Sequence, residues 1–165
     1  MNLVNDLAVI LDHEGAAQTD VVGFSTGAEL GLKFAATQAA RVTSLLIIGS
    51  GWTQLEDMPL YREFANWARE TGKAMTPDPD YDALDAFVDG MPEVIGLSRE
   101  ELERITVRCA GVVGGEDPEG KNLERLVGVI PGFTLEVLPN VPHEISWREP
   151  SIPVRIQNFL MDGQG

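Results

Sequence analysis

In the stretch Thr19-Asp20-Val21-Val22-Gly23-Phe24-Ser25-Thr26-Gly27 one backbone pattern gives way to another. Residues 19–24 form a β-branched and apolar run, which predicts a strand. From about Thr26 to Gln38, Leu30, Phe34 and Ala35 fall on one side at helical spacing, which predicts a helix. Between the two stands a Gly-x-Ser-x-Gly pattern, Gly23 to Gly27. A serine on a tight strand-to-helix turn is held in strained backbone with its hydroxyl presented outward. The flanking glycines are expected to remove side chains that would meet neighbouring backbone. The N–H of Thr26 opens the helix and can donate to a developing oxyanion.

Outward from this turn the chain alternates helix and strand. Leu3, Val4, Leu7, Ile10 and Leu11 predict a helix over 2–14, ended by Gly15. Val42–Ile48 is apolar on both faces, as in parallel strands covered from two sides. Between about 50 and 105 the character changes to prolines (Pro59, Pro77, Pro79, Pro92) and short helical patches around Tyr61–Ala68 and Tyr81–Val88. This reads as a small helical cap inserted between strands. The regular pattern resumes with a strand at 107–113, a helix at 123–130, a strand at 133–138 and a final helix at 152–161. The expected class is α/β, a short mostly parallel sheet of about four strands flanked by helices. The expected organisation is one domain over 1–165.

Composition narrows the function. The 165 residues carry 12 Lys and Arg against 26 Asp and Glu, a formal charge of −14. That excess argues against nucleic acid and against an anionic membrane surface. No apolar run is long enough to span a membrane, and the first residues lack a signal-peptide pattern. The single cysteine, Cys109, excludes an internal disulfide, and a cytoplasmic location is the expectation. Cys109 lies mid-strand and reads as a small buried hydrophobe. No zinc spacing or calcium loop is present, so no metal is expected, and no cofactor.

A serine nucleophile needs a base and a group to orient that base. The sequence has two histidines. His13 sits on the first helix and reads as a surface residue. His143 sits in Pro139-Asn140-Val141-Pro142-His143-Glu144, leaving the last expected strand. The acid is sought at the end of a strand between the two, and Gly114-Gly115-Glu116-Asp117-Pro118 offers Asp117, with Glu116 as competitor. Residues at the ends of successive parallel strands gather at one rim of the sheet.

These three segments, Val21–Gly27, Gly114–Pro118 and Val141–His143, resemble the signature segments of the α/β-hydrolase superfamily, in its chain order Ser, Asp, His. The resemblance covers nearly the whole chain. It implies Ser25 as nucleophile, His143 as general base, Asp117 as the orienting acid and Thr26 N–H as an oxyanion donor. It also implies that residues of about 50–105 cap the site. Phe24-Ser25-Thr26-Gly27 looks most like the esterase and cofactor-free perhydrolase branches. The implied activity is hydrolysis of a small carboxylic ester or related acyl compound. Phe24, Trp52, Phe64, Trp67 and Phe87 are the aromatic residues expected to line a substrate pocket or to pack the cap.

The sequence also departs from that family's pattern. Strands that usually precede the nucleophile strand, and the His-Gly loop that brings a second oxyanion donor, have no counterpart here, and Pro142 stands where a glycine is common. The expectation is a truncated fold whose strand 19–24 is an exposed edge, covered in a homodimer. A second donor is sought at Gly51 or Trp52, or from another subunit. The alternative is a weak or inactive relative that serves as a binding protein.

Overall fold

The computed structural model describes residues 3–75, 80–143 and 148–162. Asn2, Pro77, Pro79 and Glu144, used above, lie outside them. Four strands, β1 (Thr19–Phe24), β2 (Val42–Ile48), β3 (Arg108–Gly114) and β4 (Thr134–Leu138), pair in the order β1-β2-β3-β4. All three pairings are parallel.

Seven α-helices are described: α1 (Leu3–His13), α2 (Thr26–Thr37), α3 (Met58–Met75), α4 (Tyr81–Gly90), α5 (Arg99–Glu103), α6 (Gly120–Glu124) and α7 (Ile152–Met161). The segment between β2 and β3 is helical, holding α3, α4 and α5. None of the described helices is long and apolar enough to cross a membrane.

Strand periodicity explains why β2 is apolar at every position from Leu45 to Ile48. Successive side chains point to opposite faces. Leu45 and Ile47 join one core with Ala28, Leu32 and Ala35 of α2, and Leu123 and Ile130. Leu46 and Ile48 join the other with Val112, Leu138 and Ile152. Burying each such side chain contributes about 1.5–3 kcal/mol, so β2 holds both layers on the sheet. Helix α7 closes the second layer through Ile152, Ile156 and Phe159, and the Arg108 guanidinium lies 3.9 Å above the Phe159 ring.

Three expectations change. Ile10 is not on the buried stripe of α1; Val4, Leu7 and Leu11 pack on the core while Val9 and Ile10 are exposed. The helix expected at 123–130 is instead the short α6, followed by turns. Bonds from Leu126 N–H to the Leu123 carbonyl and from Val129 N–H to the Leu126 carbonyl tighten the chain, and Gly128 (φ 76°) leaves the right-handed region. Third, an added Cβ on Gly27 would meet nothing within 4 Å, so that glycine relieves no clash.

Cys109 is buried in β3, and burial pushes its thiol up to about 12. The native protein is therefore expected to resist iodoacetamide at neutral pH and to react once unfolded. Intact-mass measurement with and without denaturant checks this.

Candidate active site

The three side chains selected from sequence come together at the ends of β1, β3 and β4. Ser25 follows β1 directly. It has φ 52° and ψ −123°, a left-handed backbone that non-glycine residues seldom adopt. Gly23 makes the turn sterically feasible: an added Cβ would lie 2.2 Å from the Gly27 carbonyl oxygen. Asp117 sits just past β3 with a fully buried side chain, whereas Glu116 is exposed. His143 follows β4, its side chain 27% exposed.

The geometry forms a continuous relay. Ser25 Oγ lies 3.1 Å from His143 Nε2, and His143 Nδ1 lies 2.9 Å from Asp117 Oδ2. The other Asp117 oxygen, Oδ1, accepts the Glu119 N–H at 2.9 Å. An ionised carboxylate only accepts, so Nδ1 carries the proton, leaving Nε2 bare toward the serine hydroxyl. Gly49 (φ 72°) lets the rings close in: a Cβ there would be 2.9 Å from the Phe24 ring and 3.5 Å from the His143 ring. Phe24 stacks on His143 with centroids 5.4 Å apart.

Thr26 stands at the first position of α2, where a backbone N–H has no acceptor within the helix. Trp52 N–H, sought above as a second donor, is already given to the Asn122 carbonyl at 2.9 Å. A cavity of about 480 Å³ opens beside Ser25, Thr26 and His143. Phe64, Trp67 and Phe87 of α3 and α4 line it with Leu60. Trp52 and Phe24 do not. The Trp52 indole donates to the Leu97 carbonyl at 2.6 Å and borders a separate small pocket, and Phe24 supports the imidazole.

The sequence reading missed Glu29. It lies on α2, borders the cavity and is only 5% exposed. Its Oε1 accepts three hydroxyls: Thr53 Oγ1 at 2.6 Å, Tyr61 Oη at 2.6 Å and Ser50 Oγ at 2.9 Å. Burial pushes the Glu29 carboxyl above its ordinary value despite those three bonds, and Glu119 adds to the rise. Burial and Glu29 likewise push the Tyr61 phenol upward. Because folding favours neutral Glu29, the stability it contributes is complete below the pH where the unfolded residue titrates. That stability is lost as pH rises through the folded value. Glu29→Gln cannot ionise, so the variant's melting temperature minus that of wild type should grow over that window and then level off. Calorimetry across pH at fixed ionic strength checks this.

Solved structures with the same arrangement of strands and helices identify the architecture. A carboxylesterase from the thaumarchaeon Nitrososphaera gargenis aligns over 99% of this chain and 73% of its own, with TM-score 0.81 and 17% identity. An α/β-hydrolase enzyme from a Medee basin deep-sea metagenome library aligns over 97% of this chain and 70% of its own, at TM-score 0.72 and 16% identity. The chain has the α/β-hydrolase fold. Carboxylesterase CesB of Bacillus subtilis, at 17% identity and TM-score 0.70, covers 96% of this chain and shares the α/β-hydrolase arrangement over 65% of its own length. No family model and no curated protein matches the sequence. Within the α/β-hydrolase fold, Ser25 occupies the strand-to-helix turn and Asp117 and His143 follow later strands.

Proposed function

We propose that this protein is a serine hydrolase that cleaves a small carboxylic ester or related acyl compound through an acyl-serine intermediate. The observation that carries this reading is the pair of contacts, 3.1 Å from Ser25 Oγ to His143 Nε2 and 2.9 Å from His143 Nδ1 to Asp117 Oδ2. Ser25 attacks the carbonyl carbon as its proton passes to Nε2. Asp117 holds the tautomer and stabilises the imidazolium. Thr26 N–H, at the positive end of α2, receives the oxyanion. The imidazolium protonates the leaving alcohol, and a water deprotonated at Nε2 then releases the acid. The helices between β2 and β3 serve as the cap.

A second reading is favoured by one contact. With Trp52 N–H committed to Asn122, a protein lacking a second oxyanion donor would bind acyl compounds with little turnover. Losing one such donor typically costs ~10²–10³ in kcat. The Gly51 N–H or another subunit remains to supply it. A fluorophosphonate probe separates the readings: adduct mass on the Ser25 peptide, absent in Ser25→Ala, supports the hydrolase. No adduct on wild type supports the binding protein.

We also propose a homodimer through β1, the edge strand, whose Val22 is 40% exposed although its neighbours in β2 are buried. Light scattering should give twice the chain mass at micromolar concentration. A monomer would count against it.

A further inference from the structure

The three hydroxyls on Glu29 all reach the same oxygen. The other, Oε2, is buried and has no hydrogen-bond partner among the described residues. Leaving a buried polar atom unpaired costs roughly 1–3 kcal/mol, so a folded protein that keeps one in a site invites an explanation. Two features narrow it. Glu29 borders the 480 Å³ cavity that also holds Ser25 and His143. Glu29 is also four residues past Ser25, and its N–H faces the Ser25 carbonyl at 3.4 Å, so the two stand one helical turn apart, ~6 Å along α2. The space between cap and turn is walled by Phe64, Trp67 and Phe87, which suits a flat apolar spacer.

We infer that Glu29 is a specificity-determining residue that pairs with a hydroxyl of the substrate, carried about one helical turn from the scissile carbonyl across an aromatic or similarly flat spacer. The inference rests on the hydrolase reading and names its substrate class: hydroxyaryl esters in preference to their methylaryl counterparts. A hydroxyl both donates and accepts, so it satisfies Oε2 whether the carboxyl is charged or neutral. A methyl group in its place has the same shape and leaves the oxygen orphaned. Sites built around such a bond discriminate strongly against the analogue that lacks it. Ser50, Thr53 and Tyr61 hold Oε1 and so prevent the carboxyl from turning freely.

The test uses two matched pairs: the monoacetate of hydroquinone against the acetate of p-cresol, and methyl 4-hydroxybenzoate against methyl 4-methylbenzoate. Each kcat/KM is divided by the hydroxide-catalysed rate of the same ester. Wild type is expected to prefer the hydroxylated member of at least one pair by about tenfold or more. Glu29→Gln, which keeps a polar atom at the Oε2 position, should retain the preference within about threefold. Glu29→Leu should bring the ratio near one. No preference in either pair, or a preference that survives in Glu29→Leu, overturns the inference. The latter result would mean that a different group pairs with the hydroxyl, and the former that Oε2 is satisfied within the water-sized pocket of about 10 Å³ that Glu29 also borders. If Glu29→Leu does not fold by circular dichroism, the wild-type ratio and Glu29→Gln decide. Should wild type cleave none of the esters and take no fluorophosphonate, the hydrolase reading fails separately. Calorimetric binding of hydroquinone against p-cresol then decides the inference: tenfold tighter hydroquinone supports it, and equal binding overturns it.

Discussion

Ser25→Ala and His143→Ala are each expected to lower kcat/KM toward p-nitrophenyl acetate by at least ~10³-fold, and the double variant to lose no more than the worse of the two. In the proposed mechanism the hydroxyl and the imidazole act as one unit. At 3.1 Å, Nε2 is placed to take the proton that Oγ must shed as it attacks, and without either partner the other has no role. Asp117→Asn tests the third member. Its side chain is buried, so an amide there cannot be rescued by solvent, and an amide N–H facing Nδ1 would turn the imidazole to the wrong tautomer. A loss of ~10⁴ in kcat is expected, with KM little changed. Additive losses in the double variant, or full activity in His143→Ala, would mean that Ser25 is activated by another group or not at all.

How much of this was legible beforehand depended on the range of the physics. β2 was readable because a strand buried from two sides has to be apolar at consecutive positions, as Leu45–Ile48 are, and β1 was readable as a β-branched run although only Gly23 in it is buried. Ser25 stands in a strained turn that few residues tolerate, and Gly23 marks it because no side chain fits beside the Gly27 carbonyl. The joining of Asp117 and His143 to Ser25 followed from strand ends in a parallel sheet sharing one rim. Glu29 was not readable in the same way. Helical spacing does set it beside Ala28 and Leu32, on the buried side of α2, which was the available signal. Its partners Ser50, Thr53 and Tyr61 lie 21, 24 and 32 residues away, and no local pattern places three hydroxyls on one carboxylate. The 123–130 segment misled for the opposite reason. Its apolar residues do pack into the core, yet Gly128 and successive tight turns carry them there without a regular helix.

Gly23→Ala should be the most damaging alanine substitution among the glycines whose surroundings are described. The added carbon would stand 2.2 Å from the Gly27 carbonyl oxygen, 2.5 Å from its carbon and 2.7 Å from Ala28 N, all of them backbone atoms. No side-chain rotation relieves that contact, so either β1 or the start of α2 has to move. Both are tied down, β1 by its ladder to β2 and α2 by Ala28 and Leu32, which are 0% and 1% exposed. Overpacking against rigid surroundings costs about 1–3 kcal/mol even where side chains can yield, and here only backbone is available to yield. A loss of at least ~3 kcal/mol, or roughly 6–12 °C in melting temperature for a chain of this size, is expected. Whatever folded protein remains should label slowly at Ser25, because displacing α2 carries Thr26 N–H with it. Gly27→Ala is the matched control: its Cβ meets nothing within 4 Å and its position is helical. Alanine favours a helix over glycine by about 1 kcal/mol, so that variant should melt no lower than wild type and label at Ser25. If the two substitutions instead cost the same, the second glycine of the pattern would carry a constraint that the free space around it does not reveal, and the strain at Ser25 would have to be traced to both flanks of the turn rather than to one.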